Sequence, residues 1–215
     1  VYIDRNTYIF TIVVDGVSTP TPYLYGSMVS EPVTPSKTDY KFIKWNGTIP
    51  ETMPAKNLVL TAVWSANRYD AVFDANGGMW YDGTEKKVVS TQFDSQIVAP
   101  EAPTKIGYVF SCWTPEIGIM DDINGKAFVA EWIPATDTRY VVETYTMNTF
   151  GEYEMASQTF TGITDETAIA EYSIDRGFSL NEEKSVLSGI VAADSSLVLS
   201  VYIDREIYTI TTVSD

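Results

Sequence analysis

Pro103-Thr104-Lys105-Ile106-Gly107-Tyr108-Val109-Phe110-Ser111-Cys112-Trp113 can be laid without a gap over Pro35-Ser36-Lys37-Thr38-Asp39-Tyr40-Lys41-Phe42-Ile43-Lys44-Trp45. Pro, Lys, Tyr, Phe and Trp fall at the same steps in both. Pro100 and Pro103 repeat the spacing of Pro32 and Pro35, and Trp45 to Trp64 and Trp113 to Trp132 both span nineteen residues. Upstream, Tyr8 leads by seven residues to Asp15-Gly16 as Tyr69 leads by seven to Asn76-Gly77, dipeptides that favour tight hairpin turns. Such matched spacing marks a tandem array of small units. The one sizeable difference is about seven extra residues before Pro100, around Met79 to Lys87. Their polarity predicts a longer surface hairpin.

The local pattern is that of strands. Tyr8, Phe10, Ile12 and Val14 share one face of a period-two alternation, as do Leu58, Leu60, Ala62 and Trp64. Pro32 and Pro35 disfavour helix between them, because proline lacks an N–H and restricts the residue before it. Tyr40 to Trp45 is rich in aromatic and β-branched residues and is predicted as a strand.

Beyond Trp132 the pattern changes but stays related. Arg139 to Tyr145 is predicted as a strand, Gly151-Glu152-Tyr153 begins its hairpin partner, and Thr164 to Tyr172 is predicted as a helix capped by Thr164 with acidic residues in its first turn. Gly177-Phe178 matches Gly107-Tyr108, and Leu197 to Val201 matches Leu58 to Ala62. Val201-Tyr202-Ile203-Asp204-Arg205 then repeats Val1-Tyr2-Ile3-Asp4-Arg5 at an offset of 200 residues, and Tyr208 repeats Tyr8. The chain therefore reads as slightly more than one period of an array. Residues 1–5 are expected to end a preceding repeat, 6–65, 66–134 and 135–205 to be three units, and 206–215 to start the next. The alternating tail is expected to form a strand that packs on residues 135–205 or on another copy. The chain is expected to be an excerpt of a longer protein.

Composition narrows the function. A net charge of −15 disfavours nucleic acid as a partner, since phosphate must be neutralised by clustered Lys and Arg. No apolar run is long enough to span a bilayer, so no membrane insertion is expected in this segment. One cysteine precludes an internal disulfide framework, and the absence of histidine removes the commonest general base. No catalytic residue, cofactor or metal is expected. Asp121-Asp122-Ile123-Asn124-Gly125 offers oxygen ligands but lacks the spacing and terminal Glu of an EF-hand loop.

Pro100 to Trp113, preceded by Asn76-Gly77-Gly78 and followed by Ala130-Glu131-Trp132, resembles the internalin B-repeat family, also called the Listeria-Bacteroides repeat. The first unit departs from that pattern with Asp39 where the family prefers Gly, and both depart before the Trp, with Lys44 and Cys112. The resemblance implies small β-grasp units strung along bacterial surface proteins. Residues 135–205 are similar to repeats of mucin-binding-protein type.

The expected fold is α+β and strand-dominated: three tandem β-grasp-like modules forming an elongated rod. Connectors of two or three residues, Ser65-Ala66-Asn67 and Pro134-Ala135, should keep neighbours from tumbling freely. Units of about 60 to 70 residues have marginal cores and gain from packing on a neighbour. The expected function is a non-catalytic stalk or spacer of an extracellular, adhesin-type protein of the bacterial cell surface or wall. Its partners would be neighbouring repeats of the same protein. Alternatives are a binding module for host glycan or protein, and a self-assembling filament subunit. Trp45, Trp64, Trp113 and Trp132 are assigned to module cores or junctions. Trp80 and Tyr81, in the extra hairpin of one unit only, are the candidate ligand contacts.

Overall fold

The computed structural model describes residues 4–213. The expectations for residues 1–5 and 206–215 therefore fall in part outside the described residues. Every regular element among the described residues is a strand, and the expected helical component is absent. Accordingly, no helix there is long and apolar enough to cross a membrane. The chain forms two compact units: Val1–Val72 with Val88–Ala99 and Ile117–Ala127, and Phe73–Lys87 with Pro100–Glu116 and Phe128–Asp215.

In the first unit, β1 (Thr7–Val14) and β2 (Val17–Leu24) form a hairpin through Asp15 and Gly16, both at positive φ (49° and 79°). Left-handed residues at both turn positions match the right-handed twist of the strands. β3 (Tyr40–Trp45) and β4 (Leu58–Ala66) complete a sheet of order β2-β1-β4-β3, with β1 and β4 parallel. Parallel neighbours need a long crossover, and the proline-bearing stretch between β2 and β3 supplies it without a helix. Phe10, Trp45, Met53 and Leu60 form the buried core, with Tyr8, Ile12, Val14, Phe42, Leu58 and Ala62 packed against it. These include the alternating face expected of β1 and, of the face expected of β4, all but Trp64, which meets Phe42 instead.

One edge of that sheet is β2, which carries Pro20 and Pro22 opposite Thr11 and Ile9. The Ile9 N–H donates to Asn57 Oδ1 at 2.8 Å, on the β4 side of β1. Pro22 therefore turns its nitrogen to the outside, where an incoming strand would need a donor. Proline there blocks edge-to-edge growth.

The same strand order, β6-β5-β8-β7, recurs with β5 (Arg68–Asp74), β6 (Lys86–Gln92), β7 (Tyr108–Thr114) and β8 (Lys126–Pro134). β7 against β8 shifts register between Phe110 and Cys112, and β3 against β4 shifts between Phe42 and Lys44. The two departures from the family pattern before the Trp thus sit at one shared bulge.

In the second unit, β9 (Thr138–Met147), β10 (Tyr153–Gly162), β12 (Phe178–Leu180) and β14 (Val198–Arg205) form a sheet of order β10-β9-β14-β12, with β14 parallel to β9. Tyr140, Val142, Leu199, Val201 and Ile203 build its core with Ala168, Ala170 and Val191. The helix expected over Thr164–Tyr172 does not form. Asp165 is at positive φ, and β11 (Thr167–Ile169) pairs with β13 (Ser188–Ile190). Ala168 and Ala170 are buried while Ile169 between them is exposed, a period of two that a helix cannot satisfy. Thr164 is fully buried and shares a 2.7 Å hydrogen bond with the Thr138 hydroxyl, so it caps nothing.

The tail does not behave as the expected strand. Glu206 N–H donates to the Gly177 carbonyl, but residues 206–213 carry no strand, and Ile207, Tyr208, Ile210 and Val213 are exposed. β14 is already flanked by β9 and β12, so it offers the following residues no free edge.

Candidate functional site

The matched motif builds the same cluster twice. Phe42 meets Trp45 and Trp64 edge-on at 5.2 and 5.7 Å, and Phe110 meets Trp113 and Trp132 at 5.2 and 5.8 Å. Lys37 Nζ lies 4.3 Å from the Tyr40 ring centroid and 6.0 Å from that of Trp64. Lys105 Nζ lies 4.6 and 5.8 Å from Tyr108 and Trp132. Each ammonium then reaches the turn that follows the first strand of its sheet, Lys37 to the Asp15 carboxylate at 3.0 Å and Lys105 to the Asn76 carbonyl at 3.4 Å. The motif lysine thus ties the strand carrying its tyrosine to the β-turn at the start of the same sheet, with the aromatic faces favouring the cation. All four tryptophans assigned to cores or junctions belong to these two clusters.

Each motif tyrosine points onward along the chain. Tyr40 Oη donates to Asp94 Oδ2 at 2.8 Å, and Tyr108 Oη donates to Asp165 Oδ2. Asp94 and Asp165 both sit at positive φ, 60° and 65°, in the turn that follows the second strand of the next sheet. A backbone relay runs beside each pair. Asn67 N–H donates to the Asp39 carbonyl and its own carbonyl accepts from Phe93 N–H; Ala135 does the same between Gly107 and Thr164. Hydrogen bonding to a carboxylate is the main reason that both phenols are held above the ordinary tyrosine pKa, with burial and the negative charge of the aspartate adding to it.

The two places differ in their glycine position. Asp39, at φ 64°, accepts from Tyr69 Oη at 2.9 Å, and the Phe93 ring meets Tyr40 and Tyr69 edge-on, each at 6.1 Å. Its departure from glycine therefore adds a second tyrosine–aspartate pair running the opposite way. At Gly107, φ 75°, a Cβ would stand 2.6 Å from the Cα and Cβ of Ala193, so glycine is required there.

The expected ligand-contact pair is split. Trp80 is only 3% exposed; it stacks on Trp113 at 6.2 Å and donates from Nε1 to the Glu101 carbonyl at 2.7 Å. It completes a core and is out of a ligand's reach. Tyr81 is 93% exposed, beside Lys87. In the Asp121–Gly125 turn, Asp122 Oδ1 accepts from Asn124, and Asp121 pairs with Lys126. Among the described residues no three His, Cys, Asp or Glu side chains converge as a metal would require. Cys112 is a free, exposed thiol.

The model of the Listeria-Bacteroides repeat domain matches residues 8–63 and 69–138, which hold all of the second cluster and all of the first but Trp64, the residue just past the first match. The chain belongs to the Listeria-Bacteroides repeat family. Internalin H of Listeria monocytogenes is 34% identical over 109 residues, which cover 46% of this chain and 19% of that protein. A predicted Gly-rich membrane protein of Evansella cellulosilytica is 33% identical over 122 residues, 53% of this chain and 12% of the relative. The chain thus spans a fifth or less of these relatives. The repeat family accounts for the duplicated cluster, while the onward-pointing Tyr–Asp pairs were not legible as contacts in the sequence. Tyr40 and Asp94 are 54 residues apart, and Tyr108 and Asp165 are 57 apart.

Proposed function

We propose that this chain is a non-catalytic segment of a bacterial cell-surface protein, in which residues 6–65, 66–134 and 135–205 are tandem modules holding one another in line as a stiff stalk. The observation that carries the reading is the repeated connection: the same tyrosine–aspartate pair with the same backbone relay at Asn67 and at Ala135. A short connector bracketed by such bonds resists bending more than a flexible linker does. The relatives named as an internalin and as a membrane protein favour an exported, surface-exposed location. A mixed four-stranded order with its outer hairpin and parallel central pair favours the β-grasp label, with a loop where that architecture carries a helix. The order of β10-β9-β14-β12 favours counting residues 135–205 as a third module.

Small-angle scattering tests the stalk reading. A compact domain of this length has a radius of gyration of about 17 Å. A stalk gives a clearly larger value that does not change with protein concentration. A value near the compact one contradicts the stalk, and growth with concentration favours the filament reading. The rival binding module rests on one observation, the exposed Tyr81 ring. Retention of Tyr81→Ala protein on a glycan array at wild-type level counts against it.

A further inference from the structure

Tyr40, Tyr108 and Phe178 stand at one register position, paired with Ala66, Pro134 and Arg205 respectively. The residue after each partner, Asn67, Ala135 or Glu206, donates its N–H to the carbonyl of Asp39, Gly107 or Gly177 at 2.8 to 2.9 Å. At the first two positions the relay continues into a further turn, and the tyrosine finds its aspartate. The third position has the first half of the relay and a different pair of side chains. Phe178 has no hydroxyl to donate, and the Arg205 guanidinium lies 4.7 Å from its ring centroid.

The matching half is found at the first sheet. Tyr25 N–H donates to the Asn6 carbonyl as Phe93 does to Asn67 and Thr164 does to Ala135. The next residue is Gly26, at φ 72°, whose N–H donates to Met53 as Asp94 donates to Met120 and Asp165 to Val191. Gly26 therefore occupies the aspartate's place and has no carboxylate. What reaches this turn is Arg5, whose guanidinium donates to the Tyr25 carbonyl at 3.2 Å. Arg5 and Arg205 close the two copies of the identical pentapeptide, so they are one position of the repeat. The ring loses its hydroxyl where the turn loses its carboxylate, and an arginine touches each.

We propose that the face made by Gly177, Phe178 and Arg205 receives the Tyr25–Gly26 turn of a second copy of this chain's first sheet, and that one arginine bridges them in place of the tyrosine–aspartate pair. Guanidinium suits this because its flat face stacks on a ring while its N–H groups donate in the plane. Neither half needs the other's missing group. The contact is head-to-tail and repeats with each copy. This inference rests on the tandem reading above.

The test is a concatemer in which residues 1–205 of one copy run directly into residues 6–215 of a second, so that one arginine serves both. Amide hydrogen exchange is read at Tyr25 of the second copy and compared with Tyr25 of the single chain. Docking slows exchange there by at least about tenfold, the factor that corresponds to a strengthened local opening equilibrium. Arg205→Ala at the link, and separately Phe178→Leu, abolish the gain, while in the single chain Phe178→Leu leaves exchange at Tyr25 unchanged and Arg5→Ala, the counterpart of the link substitution, speeds it by less than the gain. No gain in the unsubstituted concatemer overturns the tandem reading and this contact with it. A gain that survives Arg205→Ala leaves the tandem reading standing and overturns the arginine bridge.

Discussion

The first repeat, matched over residues 8–63 and closed by Trp64 just beyond, and the second, residues 69–138, hold the same aromatic frame and fill it differently. Phe42, Trp45 and Trp64 superpose in role on Phe110, Trp113 and Trp132, with ring separations agreeing within about 0.1 Å across the two clusters. By the same spacing Phe10, Ile12 and Leu60 correspond to Ala71, Phe73 and Phe128. Bulk removed at one position returns at the two others. Phe73 and Phe128 stack at 4.9 Å, and the extra hairpin adds Trp80 against Trp113. The lesson is that the motif specifies the frame and the connections to the next sheet, while the infill is free to vary in shape so long as volume is kept.

The comparison breaks first where the infill differs most. Phe73→Ala empties a fully buried site and should cost about 3–5 kcal/mol in urea unfolding. Ile12→Ala, at the half-buried counterpart, should cost clearly less; equal costs would mean that the two cores are filled alike. The hairpin gives the next largest contrast. Trp80→Ala should cost about 3 kcal/mol, whereas Tyr81→Ala should stay within about 0.5 kcal/mol. A neutral Trp80→Ala would return that residue to the surface.

The glycine position sharpens the contrast between the two connections. Gly107→Asp should destabilise strongly, because Ala193 leaves no room for a Cβ, while Asp39→Gly should lose only the bond from Tyr69. Thermal unfolding of both variants checks this order, and a tolerated Gly107→Asp would show that Ala193 can move away. Alkaline pH gives the smallest effect. Tyr40 and Tyr108 have raised pKa values when folded, so the folded chain holds their protons more tightly than the unfolded chain. The stability that they add is fully present below the unfolded value of about 10 and is lost as pH rises through the folded values. A double Tyr40→Phe, Tyr108→Phe variant should show a weaker alkaline decline, measured as urea midpoint against pH.

Much of this was legible in the chain itself. Alternation marked most of the core faces of β1 and β4, and Asp15-Gly16 closes a tight hairpin as expected, whereas Asn76-Gly77, also at positive φ, turns within the longer stretch from Asp74 to Lys86 and does not join β5 to β6 tightly. The motif spacing marked the tryptophans. Three features were hidden for physical reasons. Thr164 to Tyr172 carries helix-cap chemistry, but burial of the alanines on a two-residue period decides for strand. Trp80 looked like a surface aromatic because insertions are usually solvated, yet its large ring closes a core. The acceptors Asp94 and Asp165 sit in turns where aspartate is common, and only the fold brings them beneath the tyrosines.

Propping between neighbours can be measured without touching a connection. All five tryptophans lie between Trp45 and Trp132, so their fluorescence reports only that part of the chain. Leu199 is fully buried in the core of the β9–β14 sheet, and Leu199→Ala should weaken that sheet by about 2–5 kcal/mol. If neighbours stabilise one another, the urea midpoint read by tryptophan falls by a measurable part of that loss. A tryptophan midpoint identical to that of the unsubstituted chain would mean that each sheet stands alone.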